Sequence, residues 1–223
     1  MKRIYLSYFL GADTPFYGGN KSFQVEGLRS ISSGDTCNTS RWAFPNHAGT
    51  HVDLPRHFVI DGLSLEEFSP DFWIFQHIAI AELVDIAPDS VVGQDMLKHF
   101  DLPPDTELLL IKTGFGRLRE TPSYWMNSPI FLPELAEYLR ERFPNLRAIG
   151  FDSISLSSWS NRTTGRCAHH AFLGGKYPIL LIEDMDLSLI DNSSIVSKVT
   201  VAPLLVRSAD AAPCTIIAEV VDQ

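Results

Sequence analysis

Six short apolar runs constrain this chain more than any other feature. They are HIAIAELVDI (77–86), ELLLIKTG (107–114), LRAIGFD (146–152), YPILLIE (177–183), APLLVRS (202–208) and CTIIAEVV (214–221). Most are rich in Ile, Leu and Val and bounded by Pro, Gly or Asp, the pattern of buried strands rather than amphipathic helices. The N-terminal MKRIYLSYFLGA predicts a first strand, because Ser7 and two tyrosines interrupt the run that a signal segment would need. Helical signals are fewer. Over 133–143, Pro133 suits a first helical position, while Leu132, Leu135, Ala136, Leu139 and Phe143 share one face. A weaker helix is expected over 90–99, with Asp89 or Ser90 as N-cap. Segments 10–45, 115–130 and 153–170 read as long irregular stretches, which in a compact domain are often functional. No linker or charge run divides the 223 residues, so one α/β domain spanning 1–223 is expected.

Composition narrows the class. The content of 45% hydrophobic and 20% charged residues is ordinary for a globular protein. A net charge of −9 with no basic cluster disfavours a nucleic-acid partner, whose phosphates would be repelled. No apolar run approaches the roughly 20 residues that span a bilayer, so a soluble protein without a membrane partner is expected. Cys37, Cys167 and Cys214 form no CxxC pair and read as free thiols of a reducing cytoplasm. P-loop, GxSxG and strand-linked GxGxxG motifs are missing.

The chemistry concentrates in HAGTHVDLPRH (47–57), which holds three of the seven histidines. In a strand His47, His51, Asp53 and His57 share a face, with His51 and Asp53 about 6.6 Å apart at Cα and His47 about 13 Å from His51. Ligand atoms must approach one metal to about 2.0–2.2 Å, so His47 joins the other two only if the chain bends at Gly49-Thr50. Two imidazoles and a carboxylate leave a position open for water, as catalytic metal sites do. His57 is then either a fourth ligand or a nearby acid/base group. The competing reading is a set of histidines satisfied by hydrogen bonds alone. Farther on, His169-His170 precede Glu183, a carboxylate that ends an apolar strand and needs a partner or a metal. Asp184 and Asp186 read as a solvated turn. Phe16, Tyr17, Trp42 and Phe44 are candidate apolar walls for a substrate.

These residues resemble a known family. HAGTHVDLPRHF (47–58) is similar to the HxGTHxDxPxHF motif of the cyclase family, which includes bacterial kynurenine formamidase and isatin hydrolase. TPFYGG (14–19), LIKTGF (110–115), IGFDSISL (149–156) and HHAFLGGKYPILLIE (169–183) resemble further family segments in the same order. The resemblance implies a mixed β-sheet core of the swivelling β/α type, a homodimer or homotetramer, and a divalent cofactor, Zn2+ or Mn2+, as one or two ions. It implies that His47, His51 and Asp53 bind a first metal, that Asp53 bridges to a second held by His169 and Glu183, and that His57 is the acid/base. Tyr17 falls where an aromatic residue packs on substrate. Four features depart from the pattern: the His169-to-Glu183 spacing is about two residues longer than in formamidases, leaving His170 as an alternative ligand; Ser157 replaces an Asp; Cys214-Thr215 stand where a Val-Arg pair is common; and PFYGGN (15–20) lacks the second proline and the aspartate of the N-terminal segment. The activity implied is hydrolysis of a formamide, amide or lactam C–N bond by metal-activated water. A metal-dependent cyclase or dehydratase, and a non-catalytic binding protein, are the alternatives.

Overall fold

A computed structural model describes residues 1–20, 22–84 and 86–221. In chain order its strands are β1 (Lys2–Tyr5), β2 (Gln24–Arg29), β3 (Thr39–Ala43), β4 (His51–Asp53), β5 (Ile74–Phe75), β6 (Ile78–Glu82) and β7 (Val91–Val92). They continue as β8 (Leu108–Lys112), β9 (Ile130–Phe131), β10 (Ala148–Phe151), β11 (Leu180–Glu183), β12 (Val196–Pro203) and β13 (Ala211–Val220). The helices are α1 (Gln94–Leu97), α2 (Ser123–Met126), α3 (Glu134–Arg142) and α4 (Arg162–Leu173). Strands dominate and helices are few, as the apolar runs predict.

Nine strands form one mixed sheet in the order β5-β12-β13-β4-β11-β10-β8-β6, with β1 also paired to β13. From β6 through β8 and β10 to β11 every pairing is parallel, whereas β4, β13, β12, β5 and β1 pair antiparallel. The parallel half explains the continuous apolar runs. Strands covered on both faces carry no polar alternation, and Leu108–Ile111 and Leu180–Ile182 are buried throughout. The short β4 lies between the two halves, so its three residues are enclosed by neighbours on either side.

Several expectations shift. The 133–143 helix is α3, whose buried face is Leu135, Ala136 and Leu139. The helix expected over 90–99 shortens to α1, because Val91–Val92 pair with β9 instead. In the 77–86 run β6 covers Ile78–Glu82, and Asp85 lies outside the described residues. The 202–208 strand is displaced: β12 ends at Pro203, while Leu204, Leu205 and Val206 are exposed beyond it. The sequence hides β12 because only Val196, Val199 and Val201 are buried among polar neighbours. The β2–β3 hairpin falls within the stretch 10–45 read as irregular, and α4 starts within 153–170 and runs on to Leu173. Asp184 is buried, not solvated: Arg119 holds it with two hydrogen bonds of 2.9 and 2.7 Å, and the Tyr124 hydroxyl donates a third. Among the described residues no helix is long and apolar enough to cross a membrane.

Candidate metal centre

The bend required near Gly49 is present. Gly49 has φ +57°, and a Cβ there would meet the Leu10 side chain at 2.4 Å, so glycine suits both the turn and the packing. The turn brings His47 back onto β4, where its Nδ1 lies 3.0 Å from Asp53 Oδ1. On β4, Val52 points into the core, and His51 and Asp53 share the opposite face. Glu183 pairs with His51 across the β4–β11 ladder, which sets the two side chains next to each other. His51 Nε2 is 3.3 Å from Asp53 Oδ1 and 3.5 Å from Glu183 Oε2.

Helix α4 delivers the fifth group. Gly165, Ala168, His169, Phe172 and Leu173 form its buried face, and His169 Nε2 stands 3.6 Å from both Asp53 Oδ2 and Glu183 Oε1. His170 is exposed, its ring edge-on to Phe58, so the buried His169 is the one turned to the site. Arg140 of α3 anchors the end of α4 by donating to the carbonyls of Ala171, Phe172 and Gly174. His47, Asp53 and His57 form one group with mutually close ligand atoms, and His51, Asp53 and Glu183 form another. Asp53 belongs to both.

The hydrogen bonds fix where the lone pairs lie. His51 Nδ1 donates to the Gly49 carbonyl at 2.8 Å, and His169 Nδ1 donates to the Gly165 carbonyl at 2.7 Å. A carbonyl only accepts, so in each neutral ring the Nε2 lone pair faces Asp53 and Glu183. Lone pairs aimed at buried carboxylates repel unless a cation lies among them. His51 Nε2 and both oxygens of Asp53 are buried without a hydrogen-bond partner, the pattern expected of metal donors. The residues therefore fit a divalent cation.

Titration agrees with this geometry. Burial opposes the charged form of His47, but Asp53 and Asp210 overcome it and hold its pKa up at about 10. The same carboxylates raise or lower their partners throughout: His51 and His169 are raised against burial by Asp53 and Glu183, and Asp53 is lowered by His47 and His51 despite complete burial. The carboxylates that favour a proton on these rings would equally favour a divalent cation among them.

Asp210, which carries no signal in the sequence, completes the arrangement. It lies just before β13, its backbone carbonyl accepting from Leu54 N. Its Oδ2 is 3.1 Å from His47 Nε2 and 3.1 Å from His57 Nδ1, and its Oδ1 accepts from Asn46. A hydrogen bond from His47 lowers its pKa below the usual carboxylate range. His57, at the end of the single turn Pro55–His57 after β4, is held by Asp210 through Nδ1. Burial lowers the pKa of His57.

A cleft of about 260 Å3 opens onto these groups, walled by Tyr17, Phe58, Ile154 and Ser157. Tyr17 accepts a hydrogen bond from Ser157 at 3.2 Å, and Phe58 stacks on His169 with centroids 4.5 Å apart. Of the other aromatics expected as walls, Phe16 is core, and Trp42 and Phe44 line a separate groove. Phe58 takes their place. Glu183 is braced by Ser155 and by the Leu156 amide. Asp152 is likewise structural, accepting from Thr113 and Gly114 at the turn after β8.

A mixed sheet with a buried His/Asp/Glu cluster at its seam defines a candidate metal-centre protein of the swivelling β/α type. The family model Cyclase, described as "Putative cyclase", matches residues 4–158, and the chain belongs to that family. A kynurenine formamidase of Bacillus anthracis is 26% identical over 212 residues, covering 95% of this chain and 94% of that protein. An uncharacterized protein of Haemophilus influenzae is 30% identical over 108 residues, 48% of this chain and 76% of its own length. An isatin hydrolase bound to the product analogue thioisatinate shares the fold with TM-score 0.83 at 15% identity, covering 100% of this chain and 93% of that one.

Proposed function

We propose that this chain is a metal-dependent hydrolase of the C–N bond in a small formamide, amide or lactam. In this reading His47, His51, Asp53, His169 and Glu183 hold one or two divalent ions, Zn2+ or Mn2+. One observation carries it: the Nε2 lone pairs of His51 and His169, set by backbone carbonyls, converge on the buried carboxylates of Asp53 and Glu183. Full-length relatives named kynurenine formamidase support amide chemistry.

When bound, the metal supplies Lewis acidity, polarising an acyl oxygen and bringing the pKa of water to about 7. The protein's own groups do the rest. Asp210 accepts from His57 Nδ1, which leaves the Nε2 lone pair as the acceptor for a proton from the attacking water. That proton passes to the leaving nitrogen as its bond to the acyl carbon breaks, giving an acid and a free amine. Tyr17 and Phe58 form the sides on which a flat substrate packs. The whole of 1–223 works as one domain, in the cytoplasm, as a homodimer or homotetramer.

The test combines metal analysis with hydrolysis in H2 18O. Purified protein is expected to hold divalent metal, to place solvent oxygen in the acid product, and to lose both metal and turnover in His51→Ala. Unchanged metal content and hydrolysis in that variant overturn the reading.

A further inference from the structure

The α4 wall of the cleft, beyond the donor His169, carries two positive charges that the hydrolase chemistry leaves unused. Arg162 and Arg166 line the same cleft as His47, His51, Asp53, His57, His169 and Glu183. Both are on α4, four residues apart, and His169 follows Arg166 by three, so all three side chains share one helix face. Along the axis the arginines start about 4.5 and about 10.5 Å before His169, which grades the wall from the metal donors outward to the mouth. We propose that Arg162 and Arg166 form an anion subsite that holds a carboxylate of the substrate, remote from the C–N bond being cut. The substrate class is then a small N-acyl compound, its flat body between Tyr17 and Phe58 and its carboxylate at the mouth. This inference rests on the hydrolase reading for the position of the acyl group.

Four observations support it. Arg119 and Arg147 are paired with Asp184 and Glu107, but no carboxylate pairs with Arg162 or Arg166 among the described residues. Such free guanidinium groups beside a cleft are poised for a planar acid, which Arg binds in bidentate fashion. Arg162 is also ordered: its guanidinium carbon sits 4.6 Å over the Trp159 ring, and Trp159 meets Tyr17 edge-on at 5.3 Å. Less conformational freedom therefore remains to be lost on binding. Burial raises the Tyr17 phenol pKa while Arg162 and Arg166 pull against it, which places both charges within electrostatic reach of a residue that walls the cleft. Finally, the chain carries net charge −9, so a positive mouth is a local exception that draws an anion inward.

The experiment compares 4-formamidobenzoate with formanilide, which differ only in the carboxylate. Turnover is measured on the metal-loaded protein, and binding of both probes by calorimetry on His57→Ala. The carboxylated probe is expected to be favoured at least tenfold in both kcat/KM and affinity. Arg166→Gln and the double variant Arg162→Gln/Arg166→Gln should bring that ratio towards one, mainly through KM, and Arg166→Lys should restore part of it at low salt. Circular dichroism verifies that the variants fold. Equal affinity for the two probes, or a preference that survives the double variant, overturns the subsite. Arg-dependent binding of the carboxylate without turnover of either probe keeps the subsite and counts against the hydrolase reading instead. No binding of either probe counts against both.

Discussion

Asp210 connects two histidines that the proposed mechanism uses differently. It accepts from His47 on the metal side and from His57 on the acid/base side, at 3.1 Å in each case. Both rings meet the same oxygen, Oδ2, so an amide in its place can still accept from them, but its nitrogen then faces the Asn46 amide and the negative charge that polarises both rings is gone. Asp210→Asn is expected to lower kcat about 10- to 100-fold and to weaken metal binding, as loss of a carboxylate behind a ligating histidine usually does. Steady-state kinetics and a competitive chelator titration measure the two effects separately. Nothing near Asp210 in sequence announces this role, since its partners are 153 and 163 residues away. By contrast, His47, His51 and Asp53 were legible because parity, reach and Gly49 are local properties, and the turn at Gly49 follows from them.

His47 also sets a pH dependence. Its pKa is about 10 in the fold against 6.5 for the free side chain. A raised value means that the protonated ring stabilises the fold fully below about pH 6.5, and that this contribution disappears as pH climbs through 10. Thermal melts of chelator-treated protein are expected to show Tm falling from pH 7 to pH 10, more steeply than in His47→Gln. Equal slopes in the two proteins contradict the assignment. Because metal and proton compete for the same ring, metal uptake at pH 8 should release protons, seen as a buffer-dependent heat in calorimetry.

At the scale of elements, α4 is where sequence reading falls short. Thr163, Thr164 and Gly165 are weak helix formers, and the buried face carries Gly165, Ala168 and His169 where a core helix would show larger apolar residues. Tertiary contact overrides propensity here. Ser157 lies against the helix so closely that a Cβ on Gly165 would fall 1.9 Å from the Ser157 Cβ. Gly165→Ala therefore sets two effects against each other. The helix gains up to about 1 kcal/mol of intrinsic propensity, while overpacking costs typically about 1–3 kcal/mol. Backbone-flanked Ser157 cannot swing away as a flexible chain end would, so net destabilisation is expected in urea unfolding. Displacing α4 also moves His169, whose Nδ1 bond ends on the Gly165 carbonyl, so metal affinity should drop in the same variant. A variant at least as stable as the parent, with metal binding intact, would show that the packing is looser than described. The strands were more readable than the helices, because burial on both faces writes Leu and Ile into β8 and β11 and small or apolar residues throughout β10. Strand β12, buried at only three positions, left no such trace.

Over the whole molecule, one surface is out of keeping with the rest. The β2–β3 hairpin is exposed at every residue of both strands, although a two-stranded hairpin is marginally stable by itself in water. Beside it runs a groove of about 820 Å3 walled by Phe9, Phe23, Val25, Trp42, Phe44 and Leu204, with no charged residue among the described residues of its lining. Apolar exposure continues past the groove along Leu205 and Val206. Contiguous patches of this kind mark association surfaces. In a chain of net charge −9, a second copy meets less repulsion at this face, where an apolar groove adjoins a hairpin whose Glu26 is paired with Arg41, and that favours pairing of like with like there. The proposed oligomer therefore uses the hairpin and its groove. Trp42→Glu puts a carboxylate at the most exposed aromatic of the hairpin, and Trp42 is outside the metal-centre cleft. Light scattering coupled to size exclusion is expected to show at least a dimer for the parent chain and a shift towards monomer for the variant. A parent that elutes as a monomer at all concentrations, or a variant that stays fully associated, excludes this face as the interface. Metal content measured on the same fractions separates assembly from the centre, since the donors of the site all come from one chain.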